Sequence, residues 1–157
     1  MSFLPEYREA QRGEDVARLR RALALRAMLA SRMSQRQIAE ELGISQPAVS
    51  QQIKFAPAVD QVHPELLLEA AVPILKKLAA DHGYEHLAVF GSAARREART
   101  DSDIDLIVDA PEGTSSFAFI RFKQLIEKVL GRGVDLVDYA GLKPGMDDDI
   151  RHEAVLL

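Results

Sequence analysis

The sequence has 157 residues, of which 47% are apolar and 28% are charged, and a formal net charge of −4. This composition is typical of a globular chain rather than a disordered one, with one ordinary domain or two small ones. The absence of cysteine excludes disulfides and thiolate metal sites. No apolar run approaches the roughly 20 residues of a membrane span, and we expect a cytoplasmic protein without membrane contact.

Charge is distributed unevenly along the chain. Residues 1–60 carry nine Lys and Arg residues against seven Asp and Glu residues, whereas residues 61–157 carry eleven against seventeen. A basic front and an acidic back suggest two modules with different partners. We therefore predict an N-terminal domain over residues 1–56, a proline-bearing linker over 57–63 and a second domain over 64–157.

The front module is predicted to be all-helical. Apolar residues recur every three to four positions from Asp15 onward, which predicts an amphipathic helix. Two short helices should follow, because Ser34 and Ser45 are good N-caps and Gly43 ends the first of the two. Two short helices joined by a glycine turn, with the small Ala39 at their crossing, resemble the helix-turn-helix of bacterial regulators.

The outward polar residues of this motif are candidate DNA contacts. Glutamine can pair with adenine, lysine suits guanine or phosphate, and an arginine at the start of the first short helix could contact the DNA backbone. A single copy would bind weakly, so we expect a homodimer on a palindromic operator DNA. The alternative is a helical module that docks another protein or only meets water. The candidate DNA-binding residues are Arg36, Ser45, Gln46, Ser50, Gln51 and Lys54.

The back module opens with an amphipathic helix that runs from Pro64 to Gly83. The apolar run 86–91 then predicts a buried strand that leads directly into Gly91 and Ser92 at the start of a helix. Such a corner can bind phosphate, because glycine lets the backbone approach closely and the free N–H groups of the helix start face the anion. A helix over 116–130 and a further strand follow.

Aspartates are concentrated in the segment SDIDLIVD. Asp103 and Asp105 share one face of the predicted buried strand, while the apolar residues between them face the core. Two neighbouring carboxylates repel each other unless cations lie between them, and Mg²⁺ prefers carboxylates together with substrate phosphates. Asp135, on the next strand, supplies a third carboxylate, whereas Asp138 should face the other side. These features predict two-metal nucleotidyl transfer.

The spacing Gly91-Ser92, ten residues, Asp103-Ile104-Asp105 resembles the signature of the minimal nucleotidyltransferase family within the DNA-polymerase-β-like superfamily. Arg96 departs from the family pattern, which has glycine there. The resemblance implies an α+β fold with a mixed sheet and flanking helices, two Mg²⁺ ions as cofactors and ATP as the NTP substrate. The implied catalytic and metal-binding residues are Asp103, Asp105 and Asp135, and the implied nucleotide-binding residues are Gly91, Ser92, Arg95 and Ser102.

The resemblance also implies candidate acceptors. Members of this family act as antitoxins that adenylylate a HEPN-type toxin, and others modify antibiotics or extend RNA. A fused DNA-binding module fits an antitoxin that transfers AMP to a protein acceptor and represses its own operon. The alternative is a helix-turn-helix regulator whose nucleotidyltransferase-like domain only senses nucleotide. Both hypotheses retain the three aspartates, so the sequence does not separate them.

Overall fold

Seven α-helices and four β-strands make up the computed structural model, which describes residues 1–157. No helix combines the length and the apolar character that a membrane crossing requires. The helices are α1 (Leu4–Ala30), α2 (Gln35–Leu42), α3 (Gln46–Lys54), α4 (Pro64–Asp81), α5 (Gly91–Ala94), α6 (Ser116–Leu130) and α7 (Asp148–Glu153). The strands are β1 (Glu85–Phe90), β2 (Ile104–Asp109), β3 (Val134–Asp138) and β4 (Val155–Leu156), and short 3-10 helices span Val59–Gln61 and Tyr139–Gly141.

The three front helices form as predicted, except that α1 begins at Leu4 rather than near Asp15. Ser34 and Gln37 form a reciprocal capping box at the start of α2. Gly43 ends that helix with a φ of +68°, a left-handed conformation that favours glycine. The N-cap of α3 is also as predicted, because its serine oxygen accepts from the backbone N–H three residues later. A small apolar cluster joins these helices: Leu25, Ile38, Ala39 and Val49.

The four strands form one mixed sheet in the order β3-β2-β1-β4. β2 pairs in parallel with β3, while β1 pairs antiparallel with both β2 and β4. Because side chains alternate across a strand, Ile104, Leu106 and Val108 face the main core and are fully buried, as the sequence predicts. The opposite face carries a smaller apolar cluster beside the acidic residues. The expected α+β class is confirmed.

Helix α1 packs into both parts of the molecule. Leu25 belongs to the cluster that it shares with α2 and α3. Leu19 and Leu23 instead belong to the main core beneath α4 and the sheet. Arg26 donates to the carbonyl oxygens of residues 128 and 129 at the end of α6, at 2.7 and 2.8 Å. The front helices are therefore held against the back module, and the domain division at residues 57–63 stays a prediction.

Candidate active site

Two carboxylates lie side by side on β2 and β3. Asp105 is directly opposite Asp135 in the parallel register. On its other side, Asp105 is opposite Phe90, the last residue of β1 before Gly91. The sheet therefore places the Gly-Ser corner, the central carboxylate and the neighbouring carboxylate on three adjacent strands, as the sequence suggests.

Gly91 makes room for Asp105. Its φ is +70°, and a Cβ built there would lie 2.0 Å from Asp105 Oδ2, far inside any van der Waals contact. No side chain can occupy that space unless the carboxylate moves, and the left-handed conformation also disfavours any other residue. Ser92 follows in α5, a helix of only one turn whose first residue is Gly91 itself. The corner therefore brings backbone directly against Asp105, which forms an acidic group with Asp103 and Asp135.

The acidic group is less buried than the sequence predicts. β2 begins at Ile104, so Asp103 lies just before the strand and is exposed, and Asp135 is exposed as well. Only Asp105 is half-buried, and no charged residue of the chain is fully buried. The expectation of a charged pair within a buried strand is wrong for Asp103, because this residue precedes the first residue of β2 and is exposed.

Asp105 is the aspartate of this site whose pKa is clearly raised in the folded chain. Burial raises the pKa of its carboxyl, and the nearby negative charges of Asp135 and Asp103 raise it further. The guanidinium of Arg95 acts in the opposite direction and lowers that pKa. Repulsion among the three carboxylates is thus a property of the folded chain, and cations that bind between them would relieve it.

Arg95 is held by two glutamates beside the acidic group. Its guanidinium donates to Glu153 at 2.7 Å and to Glu97 at 3.1 Å. Both hydrogen bonds raise the pKa of Arg95, and the one to Glu153 has the larger effect. Sequence reasoning missed the role of Glu153, which comes from the C-terminal helix α7. Glu153 of the C-terminal helix therefore fixes the position of Arg95 beside the acidic group.

Arg96, which stands where the family pattern has glycine, and Ser102 both lie in the loop between α5 and β2. Arg96 has a φ of +58°, a left-handed conformation that favours glycine. Any residue with a Cβ, such as this arginine, adopts it at a cost of roughly 1–2 kcal/mol. The hydroxyl oxygen of Ser102 accepts from the backbone N–H of Arg99 at 2.8 Å. This bond closes the turn that leads into Asp103, so Ser102 shapes the loop, and its nucleotide contact stays a prediction.

The donor set suits a hard divalent cation. Carboxylate oxygens on adjacent strands are the ligands that Mg²⁺ prefers, usually with substrate phosphates and water completing the coordination. In the structure no group of three Asp, Glu, His or Cys side chains is close enough together to hold a metal ion by itself. Asp103, Asp105 and Asp135 therefore do not form an all-protein cage, and their role as metal ligands stays a prediction.

Two of the three carboxylates are open to solvent, because Asp103 and Asp135 are exposed. A groove of about 650 Å³ lies elsewhere, between α1 and α4. A large acceptor could therefore approach the two exposed aspartates.

The candidate DNA-binding residues are all exposed in the front module, and Gln51 also lines a groove between α3 and α1. Val49 is fully buried and Ile53 is partly buried, so the opposite side of α3 faces solvent. Arg36 is also exposed and has only a distant partner, Glu40 at 3.9 Å. DNA contact by these residues stays a prediction. The exposed residues are Arg36, Ser45, Gln46, Ser50, Gln51 and Lys54.

Comparison with known families gives one match in each part of the chain. The family described as "Polymerase beta, Nucleotidyltransferase" matches residues 74–157. The family described as "Homeodomain-like domain" matches residues 15–54, which contain most of α1 together with α2 and α3.

Individual relatives agree with the first of these matches. A Methanocaldococcus jannaschii protein named among the protein adenylyltransferases is 42% identical over 84 residues, 54% of this chain and 86% of its own. Protein adenylyltransferase MntA of Thermococcus cleftensis is 40% identical over 51% of this chain and 81% of its own. A solved structure described as a minimal nucleotidyltransferase is 40% identical, covers 59% of this chain and 95% of its own, and superposes with a TM-score of 0.54.

Proposed function

Because this chain belongs to the polymerase-β nucleotidyltransferase family, we propose that it transfers AMP from ATP to a protein hydroxyl. The observation that carries the proposal is the packing of Gly91 against Asp105, with Asp135 opposite on β3. A phosphate-binding corner and paired carboxylates on adjacent strands are the parts that nucleotidyl transfer requires.

The residues of the site suggest a division of labour. The backbone at Gly91 and the Ser92 hydroxyl would bind the outer phosphates of ATP, while Asp103 and Asp105 would hold Mg²⁺ against the triphosphate. The acceptor oxygen then forms a bond to the α-phosphorus as the bond to the β-phosphate oxygen breaks. Pyrophosphate leaves, and the carboxylate of Asp135 takes up the hydroxyl proton. Bound Mg²⁺ supplies positive charge that stabilises the negative charge of the transferring phosphoryl group.

A protein acceptor is favoured by the exposure of two of the carboxylates and by the relatives. Asp103 and Asp135 are exposed, so a large acceptor can reach them. Two relatives that are at least 40% identical over most of their own length carry the name protein adenylyltransferase. We extend this to an antitoxin that modifies a HEPN-type toxin and represses its own operon through the front module, acting as a homodimer in the cytoplasm. That extension rests on family resemblance and on the helix-turn-helix.

The test of transfer uses α-³²P-labelled ATP and Mg²⁺ with the lysate of the source cells. We expect a labelled protein band that depends on Mg²⁺ and disappears with Asp105→Asn. The matched control is Asp138→Asn, because Asp138 lies on β3 but caps the 3-10 helix after it instead of joining the acidic group. Binding of ATP without any labelled macromolecule would contradict transfer and support the nucleotide-sensing alternative.

The test of DNA binding uses duplexes selected from random sequence by the full chain. Gln46→Ala and Gln51→Ala should relax sequence preference, whereas Arg36→Ala should weaken binding to all duplexes alike. Failure to retain any duplex at low ionic strength would contradict the DNA-binding role and favour a docking function for the front module. The two experiments are independent, so either role can fail without the other.

A further inference from the structure

Arg132 lies between the predicted linker and the loop that leads into the acidic group. It follows α6 and precedes β3, next to Gly133. One terminal nitrogen, Nη1, donates to the carbonyl oxygens of Thr100 and Ser102, each at 3.3 Å. The other, Nη2, donates to those of Asp60 at 3.1 Å and Val62 at 2.5 Å. A single guanidinium therefore joins two segments that are distant in sequence.

A second contact joins the same two segments. His63 Nε2 lies 3.0 Å from the carbonyl oxygen of Ala98, while its Nδ1 accepts from the backbone N–H of Glu65 at 3.2 Å. The accepting Nδ1 leaves the proton on Nε2, so the ring donates to Ala98. The loop 98–102 is thus fixed to residues 60–63 at both of its ends.

Asp103 depends on this arrangement for its position. It is the first residue after the loop, and its carboxylate packs against Gly133, where a Cβ would lie 2.7 Å from Asp103 Oδ1. The N–H of Ile104 donates to the carbonyl oxygen of Gly133 at 3.3 Å. Asp103 is therefore held between the loop that Arg132 fixes and the residue that follows Arg132.

Arg132 holds this position at an energetic cost. Burial lowers the pKa of its guanidinium, and its Nε is buried without a hydrogen-bond partner. A buried donor without a partner destabilises the folded state. Lysine could not form the same four hydrogen bonds, because its ammonium is a point charge on a flexible chain whereas the guanidinium is planar.

We propose that Arg132 is a positioning residue for nucleotidyl transfer, which fixes Asp103 by clamping loop 98–102 to the segment that follows α3. The inference rests on the proposed role of Asp103 in binding Mg²⁺–ATP. It also gives a physical route from the front module to the acidic group, since residues 60–63 connect the one to the other.

The experiment compares Arg132→Lys with Arg26→Lys in the full chain. Arg26 is the matched control, because it also donates two bonds to backbone carbonyls but joins α1 to the end of α6 and makes no hydrogen bond to loop 98–102. The first readout is calorimetric binding of a non-hydrolysable ATP analogue with Mg²⁺. Disturbed support of a metal ligand weakens metal affinity roughly 10–100-fold. We therefore expect Arg132→Lys to weaken Mg²⁺-dependent binding at least about tenfold, and Arg26→Lys to leave it unchanged.

The second readout is amide hydrogen exchange without nucleotide. Arg132→Lys should accelerate exchange in the two segments that Arg132 joins, residues 98–104 and 60–63, whereas a merely structural role would change exchange throughout the fold. Equal binding and equal local exchange in the two variants would overturn the inference. If the wild-type chain does not bind the analogue, the proposed function fails, and the exchange experiment alone decides whether Arg132 fixes the loop.

His63→Asn provides a test if Arg132→Lys does not fold. Asparagine is a good N-cap and keeps the bond to Glu65, but it is too short to reach Ala98. Faster exchange of residues 98–102 with unchanged global stability would support the clamp. Unchanged exchange there would overturn it.

Discussion

Removing the negative charge of Asp105 should stabilise the chain in the absence of metal. Its carboxyl has a raised pKa in the folded state because of burial and the charges of Asp135 and Asp103. The folded protein therefore binds this proton more tightly than the unfolded chain does, and the free energy of unfolding falls as pH rises from about 3.9 through the raised pKa. Above that window the ionised carboxylate opposes folding, and asparagine removes the penalty.

The size of the gain follows from exposure. Asp105 is only half-buried and its two acidic neighbours are exposed, so solvent screens their repulsion. Screened charge pairs contribute about 0–1 kcal/mol, and 1 kcal/mol corresponds to a Tm change of roughly 2–4 °C in a chain of this size. We expect Asp105→Asn to raise Tm by up to about 4 °C in EDTA at pH 7.5, and to raise it less at pH 4.

The assay is thermal unfolding with and without Mg²⁺–ATP. Ligand binding stabilises the folded state only when the site is intact, so the Mg²⁺–ATP-dependent rise of the wild type should be absent in Asp105→Asn. Asp138→Asn makes the same change outside the acidic group and should keep that rise. An Asp105→Asn protein with a lower Tm in EDTA and a preserved response to Mg²⁺–ATP would refute the assignment of Asp105 to the site.

Three further substitutions test other parts of the structure. Gly91→Ala should displace the Asp105 carboxylate and abolish stabilisation by Mg²⁺–ATP in the same thermal assay; full stabilisation would contradict the close packing seen at Gly91. Arg96→Gly should raise the free energy of unfolding by up to about 1 kcal/mol in urea titration, because glycine tolerates the φ of +58° but has more freedom to lose on folding. Ser34→Ala removes the capping box and should lower the free energy of unfolding by about 1 kcal/mol in the same titration. No change would mean that water replaces the serine as the hydrogen-bond partner.

Much of the fold is accessible from local sequence signals. Helix α6 spans the residues predicted for it, 116–130, and the caps of α2 and α3 lie at the predicted serines. The strand residues that face the core follow from simple alternation along β2. These features depend on neighbours within a few positions, and short-range rules are sufficient for them.

The features that sequence reasoning missed depend on distant contacts. Nothing near Glu153 indicates that it binds Arg95, because 58 positions separate the two residues and only the return of α7 to the sheet brings them together. The exposure of Asp103 was missed since alternation alone cannot tell where a strand begins. Arg132 has no recognisable motif, and its role follows only from the carbonyl oxygens that surround it.

The packing of α1 bears on whether DNA binding and nucleotidyl transfer are coupled. If residues 57–63 were the only connection, the front helices could reorient freely and the two activities would be independent. Leu23, however, is fully buried in the main core, while Leu25 lies two residues further along the same helix in the cluster with α2 and α3. The front helices cannot rotate without moving α1 in the core. A nucleotide-dependent shift that moved α1 would therefore also move the α3 surface. Any resulting effect on DNA affinity must be matched by an equal effect of DNA on nucleotide affinity.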